Sequence, residues 1–247
     1  MESHSRIVTI ILLIVAALIV YIVVQVLRTQ HYIKIGEALA ATTVPFSRAT
    51  ESPSMRILIV GDSTAVGVGT SGPSTSIAGL VGTRYPKAEI TNFGVSGAKV
   101  KDLIKQLETV EGTYDLVMVH IGGNDIVRFT PLDELKIDIR TALDLAASHG
   151  KHVLVTTTGN IATVRLFPAP TRWIFRPRTL KVREIFMSAA AATNGDARYT
   201  DLFRERAQDP YATNPQKYYA ADMFHPSDAG YADWFTLISK ELDQFSL

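Results

Sequence analysis

The chain has 247 residues, 47% of them hydrophobic, enough to bury one full-sized core without a second globular unit. A formal net charge of +1 offers no electrostatic footprint for a nucleic-acid partner. The absence of cysteine rules out disulfides, thiol nucleophiles and cysteine-type zinc sites together, and leaves the redox compartment open.

Residues 1–6 form a short polar tail. Residues 7–27, Ile7 to Leu27, then run for 21 positions without a charge. At about 1.5 Å per residue a helix of that length reaches roughly 30 Å, the hydrocarbon thickness of a bilayer. A cleavable signal has a shorter apolar core, and the nearest small-residue site, Ala38-Leu39-Ala40, lies well past the run, so an uncleaved transmembrane anchor is expected. Charge does not decide its orientation: Arg6 precedes the span, and Arg28 and Lys34 follow it. From residue 28 to 54 the composition turns to Ala, Thr, Ser and Pro, which reads as a linker before a folded domain over 55–247.

In that domain, strand-like and helix-like patterns alternate. Apolar runs mark strands over Met55–Val60, Ala88–Phe93, Asp115–Ile121 and His152–Thr157, with a weaker fifth over Ala197–Leu202. Val100, Leu103, Ile104 and Leu107 repeat at helical spacing, as do Leu132, Leu135, Ile139, Ala142, Leu143 and Ala146. Thr130-Pro131 reads as an N-cap followed by proline at the first helical position. A last helix carries Tyr231, Trp234, Phe235, Ile238 and Leu242 on one face. The expectation is a three-layer αβα, flavodoxin-like α/β sandwich around a mostly parallel five-stranded sheet, preceded by one transmembrane helix.

Four short blocks punctuate this pattern: Gly61-Asp62-Ser63, Gly94, Gly122-Gly123-Asn124-Asp125 and Asp222-Met223-Phe224-His225. Each of the first three follows a strand, so they converge on the carboxyl rim of the sheet, where ligands bind in open α/β folds. In this order they resemble the SGNH hydrolases, also called GDSL esterases and lipases, over roughly Met55 to the C-terminus. The resemblance implies a serine-dependent acyl ester hydrolase without cofactor or metal. Ser63 is the implied nucleophile, His225 its base and Asp222 the acid that orients the imidazole. Ser63 N–H, Gly94 N–H and the Asn124 side-chain amide are the implied oxyanion hole. Thr64 stands where the family usually has Leu. Phe224-His225-Pro226-Ser227-Asp228-Ala229-Gly230-Tyr231 resembles bacterial members, and Pro226 suits the first turn of a helix with His225 at its amino end. Family habit puts the enzyme outside the cytoplasm, here on the inner membrane of a bacterium.

Rival signals are weaker. Gly67-Val68-Gly69-Thr70-Ser71-Gly72 fits a dinucleotide fingerprint, but six residues separate it from the strand and no acid closes the next one. It reads better as a flexible rim loop. His149, His152 and Asp144 lack a zinc motif's spacing, and Asp62 and Asp125 suit turns rather than acid–base work. The segment Val164 to Arg178 interleaves aromatics with arginine and proline and leaves the carboxyl end of a strand. Arg172 and Trp173 are therefore candidates for the substrate rim, facing an acyl chain or the bilayer. The substrate is expected to be a small-molecule, lipid or polysaccharide ester. An O-acyltransferase or deacetylase on cell-surface polysaccharide, and a catalytically silent membrane-tethered binding module, are the alternatives.

Overall fold

The computed structural model describes residues 2–193 and 196–247; Met1 of the expected tail lies outside them. A single helix, α1 (Glu2–Thr42), takes in the rest of the tail, the apolar run and half of the expected linker. Its 41 residues measure about 60 Å, twice what a bilayer core requires. The apolar run is exposed along its length, and α1 is long and apolar enough to cross a membrane. Beyond Leu27 the environment changes. Arg28, Thr29, Tyr32, Ile35, Gly36, Leu39 and Ala40 are half-buried, a stripe at helical spacing that lies on the folded domain.

The remainder of the expected linker is also fixed. Arg48 exchanges both backbone hydrogen bonds with Ile90, each 2.8 Å. Its guanidinium donates to the carbonyls of Ala88, Gly82 and Tyr85. Alanine and threonine here reflect helix propensity and close packing, not a loose tether.

The domain then runs β1 (Arg56–Gly61), α2 (Ser63–Val66), α3 (Ile77–Arg84), β2 (Glu89–Asn92), α4 (Val100–Glu108), β3 (Tyr114–His120), α5 (Gly123–Val127), α6 (Leu132–His149), β4 (Gly150–Thr156), α7 (Arg172–Ala192), β5 (Asp196–Thr200), α8 (Pro210–Thr213), α9 (Pro215–Tyr218) and α10 (Asp228–Leu242). All five strands pair in parallel in the order β2-β1-β3-β4-β5. The expected αβα sandwich is thus the observed fold, with α1 added. Helices cover both faces, so the central strands are apolar throughout: Ile57 to Val60 and Leu116 to Val119 are fully buried.

Two helix starts differ from expectation. Pro131, not Thr130, is the N-cap of α6, and Thr130 Oγ1 instead donates to Asp125 Oδ1 at 2.8 Å. At α10 the cap is Ser227, whose Oγ accepts from Gly230 N–H, so His225 and Pro226 precede the helix in a loop.

Candidate active site

β1 ends at Gly61, and the chain turns at once into the single turn of α2. Asp62 caps that turn: its Oδ1 accepts from Thr64 N–H at 2.9 Å and from Thr64 Oγ1 at 2.8 Å. The threonine at 64 therefore has a partner of its own. Burial pushes the Asp62 carboxyl up to about 6, against the hydrogen bonds from Thr64 that lower it. Ser63 is buried as the first residue of α2, so its N–H has no acceptor within the helix.

The loop before α10 brings the other two groups. Asp222 Oδ1 accepts from the N–H groups of Phe224 and His225, both at 3.0 Å, and folds the loop into a tight turn. Asp222 Oδ2 lies 2.5 Å from His225 Nδ1, and His225 Nε2 lies 2.9 Å from Ser63 Oγ. An ionised carboxylate only accepts, so Nδ1 carries the ring proton and the Nε2 lone pair faces the serine hydroxyl. A continuous line of hydrogen bonds of this kind can move a proton off a serine hydroxyl.

Three supports hold that line. Gly36 of α1 passes directly behind Asp222: a Cβ built there would stand 3.0 Å from Asp222 Oδ2. Leu166 N–H donates to Met223 O at 3.0 Å, and Leu166 O accepts from Thr29 Oγ1 of α1 at 3.3 Å. On the opposite side, the Gly67–Gly72 segment is tied down rather than flexible. Tyr231 Oη donates to Val68 O at 2.8 Å, and Ser71 and Thr75 bond to the Asp228 carboxylate. The Tyr231 ring is fully buried, a contribution of about 2–3 kcal/mol.

Asn124 is the second residue of α5, just past the end of β3. One hydrogen of its amide goes to Ala98 O at 3.0 Å, which fixes the group and leaves the other hydrogen free to aim. Asp125 holds the neighbouring turn by accepting from Val100 N–H and Thr130 Oγ1. Gly94 differs from its two companions. Its N–H donates to Asn92 Oδ1 at 2.9 Å, and a Cβ there would lie 2.9 Å from Ala65 Cβ, so this glycine admits α2 as well as a substrate. A cavity of about 50 Å³ joins Ser63, Asn124 and His225, walled by Ile121, Thr163 and Val164.

Residues 59–232 match the GDSL-like Lipase/Acylhydrolase family. The chain belongs to that family. It is accordingly a serine hydrolase of the esterase and lipase type, acting on ester substrates. Among solved structures the fold is similar to a member of the lipolytic protein G-D-S-L family from Veillonella parvula DSM 2008. That pair is 18% identical, with a TM-score of 0.62 over 77% of this chain and 99% of that one. An acetylxylan esterase from Geobacillus stearothermophilus is 22% identical, with a TM-score of 0.52 over 78% of this chain and 96% of that one. Among curated proteins none matches the chain.

Arg172 and Trp173 do not line the Ser63 cavity. Arg172 opens α7, and Trp173 is 84% exposed; both line a neighbouring cavity with Asn160 and Thr163. Of that segment, Val164 walls the cavity, and Phe167 stacks edge-on to Phe224, whose ring in turn meets His225 edge-on. Among the described residues no cluster of histidine and carboxylate is arranged to hold a metal, and His152 Nδ1 sits 3.0 Å from Asp196 instead. What sequence reasoning missed is the support behind Asp222. The signal was present as Tyr32, Ile35, Gly36 and Leu39 at helical spacing, hidden under a composition that resembles a linker.

Proposed function

We propose that this membrane-anchored esterase cleaves short acyl esters by a Ser63–His225–Asp222 triad. Ser63 Oγ attacks the ester carbonyl carbon as its proton passes to His225 Nε2, and Asp222 stabilises the imidazolium. The negative charge on the former carbonyl oxygen meets Ser63 N–H and the Asn124 amide, with Gly94 N–H as a third donor once it leaves Asn92. The proton returns from His225 to the departing alkoxide. Water, activated by the same histidine, then attacks the acyl-serine and frees the carboxylic acid.

The observation that carries this reading is the hydrogen-bonded line from Asp222 Oδ2 through His225 to Ser63 Oγ, ending in a cavity. The size of that cavity supports a short acyl group: about 50 Å³ corresponds to roughly three or four water-sized probes, well below a fatty-acyl chain. We further infer that residues 7–27 cross the bilayer with the hydrolase outside the cytoplasm, and that 28–42 belong structurally to the catalytic unit.

A ladder of p-nitrophenyl esters from acetate to palmitate, given to the full chain in detergent, tests the assignment. Turnover is expected to peak at two to four carbons and to vanish in Ser63→Ala. Preference for the longest chains would exclude the short-acyl reading, and undiminished turnover in Ser63→Ala would exclude the nucleophile.

A further inference from the structure

Where α1 leaves its apolar run, the segment following β4 comes down beside it and the two enclose a second cavity of about 190 Å³. Tyr21 and Gln25, from the last two turns of the run, form one wall. Arg28, Arg165, Arg172 and Arg206 line it together with Thr163, Val164, Phe167 and Ala169, and no carboxylate does. Seven other arginines of the chain, Arg56, Arg84, Arg140, Arg176, Arg183, Arg198 and Arg204, reach an aspartate or glutamate. Among the described residues none of these four does. Arg28 and Arg165 instead touch backbone carbonyls at 3.5 and 3.4 Å, and the Nε of each is buried without a hydrogen-bond partner. Burial and the charges of Arg206 and Arg165 lower the proton affinity of Arg172, as expected of cations gathered without a counter-ion.

The depth of this cavity narrows the choice of anion. Tyr21 and Gln25 lie within the run that spans the hydrocarbon, and Arg28 is the first charge beyond it, so the arginines stand at headgroup level. Beside them Trp173 and Ile174 project with 84% and 55% of their surface exposed, the disposition of residues that sit at a membrane interface. A guanidinium offers paired donors that match phosphate oxygens bidentately, and these four are held at the level of the lipid phosphates. We propose that the cavity between α1 and the Thr163–Arg172 segment binds the phosphate of an anionic phospholipid. Because that segment also bonds α1 and the Asp222 loop through Leu166, the lipid would brace the contact between membrane helix and hydrolase. The proposal does not depend on the triad assignment.

The full chain in mild detergent, equilibrated with equal phosphatidylglycerol and phosphatidylcholine and examined by native mass spectrometry, tests this site. Phosphatidylglycerol is expected to be retained about 10-fold or more over phosphatidylcholine. Arg172→Ala with Arg206→Ala should abolish that preference, leaving the two lipids retained within about 2-fold of each other, and either single change should lower it about 3-fold should the double variant fail to fold. Arg176→Ala, which removes a nearby charge already paired with Glu205, should leave it intact. Thermal unfolding checks that each variant is folded. Equal retention of the two lipids, or an Arg176→Ala loss as large as the double variant's, would overturn the site. Displacement of phosphatidylglycerol by millimolar inorganic phosphate would overturn the lipid assignment in favour of a soluble anion.

Discussion

The two sides of Ser63 are built differently. On the proton-transfer side, Asp222 and His225 sit in one short loop, but what holds that loop comes from far along the chain: Gly36 of α1 behind Asp222, Leu166 against Met223, and Val68 bonded to Tyr231. On the oxyanion side, Asn124 is set by Ala98, and Gly94 donates to Asn92 two residues away. One side is fixed by contacts distant in sequence that include the membrane helix, the other mainly by hydrogen bonds made where strands end. The proposed proton-transfer line is therefore fully hydrogen-bonded in this structure, whereas one of the proposed oxyanion donors, Gly94 N–H, is engaged by Asn92.

That contrast orders the effects of breaking each side. His225→Ala removes the base and should lower kcat by about 10⁵-fold or more, with Asp222→Asn a step milder at about 10⁴-fold. Steady-state kinetics on p-nitrophenyl acetate would measure both. Asn124→Ala should cost about 10²- to 10³-fold in kcat with KM little changed, because an oxyanion donor acts mainly in the transition state. A change confined to KM would remove Asn124 from the oxyanion role.

The sharper test of the comparison lies outside the site. Gly36→Leu puts a side chain where Asp222 Oδ2 now lies and should shift the acid by a fraction of an ångström or more, lowering kcat/KM by about 10- to 100-fold. Val20→Leu, on the exposed half of the same helix, should leave the kinetics unchanged. Equal activity in Gly36→Leu would mean that α1 merely rests on the domain. A fragment starting at Ser54 would lack this cover altogether, so the hydrolase should be studied with α1 attached.

Sequence carried the proposed catalytic side chains more clearly than it carried their support. Strand patterning placed Ser63, Gly94 and Asn124 on one rim because a parallel sheet sends every strand's carboxyl end to the same edge. The proposed triad residues were legible because the chemistry needs those residue types, and their order along the chain resembles that of the family. Gly67–Gly72 was not legible as a buttress: its glycines signal a turn, while the bonds from Tyr231 and Asp228 that immobilise it arrive from more than 150 residues away. The linker was misread for a related reason, since Ala-rich composition describes a helix that packs closely as well as it describes a tether. The engagement of Gly94 with Asn92 depends on a side-chain rotamer, which residue spacing does not encode.

A smaller effect should appear in stability. The Asp62 carboxyl is raised from 3.8 to about 6 in the fold, so its protonated form is favoured there and its contribution is lost as pH rises through that range. His120, buried with neither ring nitrogen hydrogen-bonded, is lowered from 6.5 to about 4 and contributes the opposite slope, losing stability as pH falls. The two slopes oppose each other between about 4 and 6. Asp62→Asn removes one of them, so its melting temperature relative to the parent should climb from pH 4 to pH 6 and then level off. A difference independent of pH would show that Asp62 is not the group that titrates.

The triad assignment is tested most directly by treating the full chain in detergent with a fluorophosphonate and reading the adduct by intact and peptide mass. A single phosphonyl group on Ser63 is predicted, absent from Ser63→Ala and strongly slowed in His225→Ala. An adduct on any other serine, or labelling of the His225→Ala protein at the parent rate, would contradict the triad.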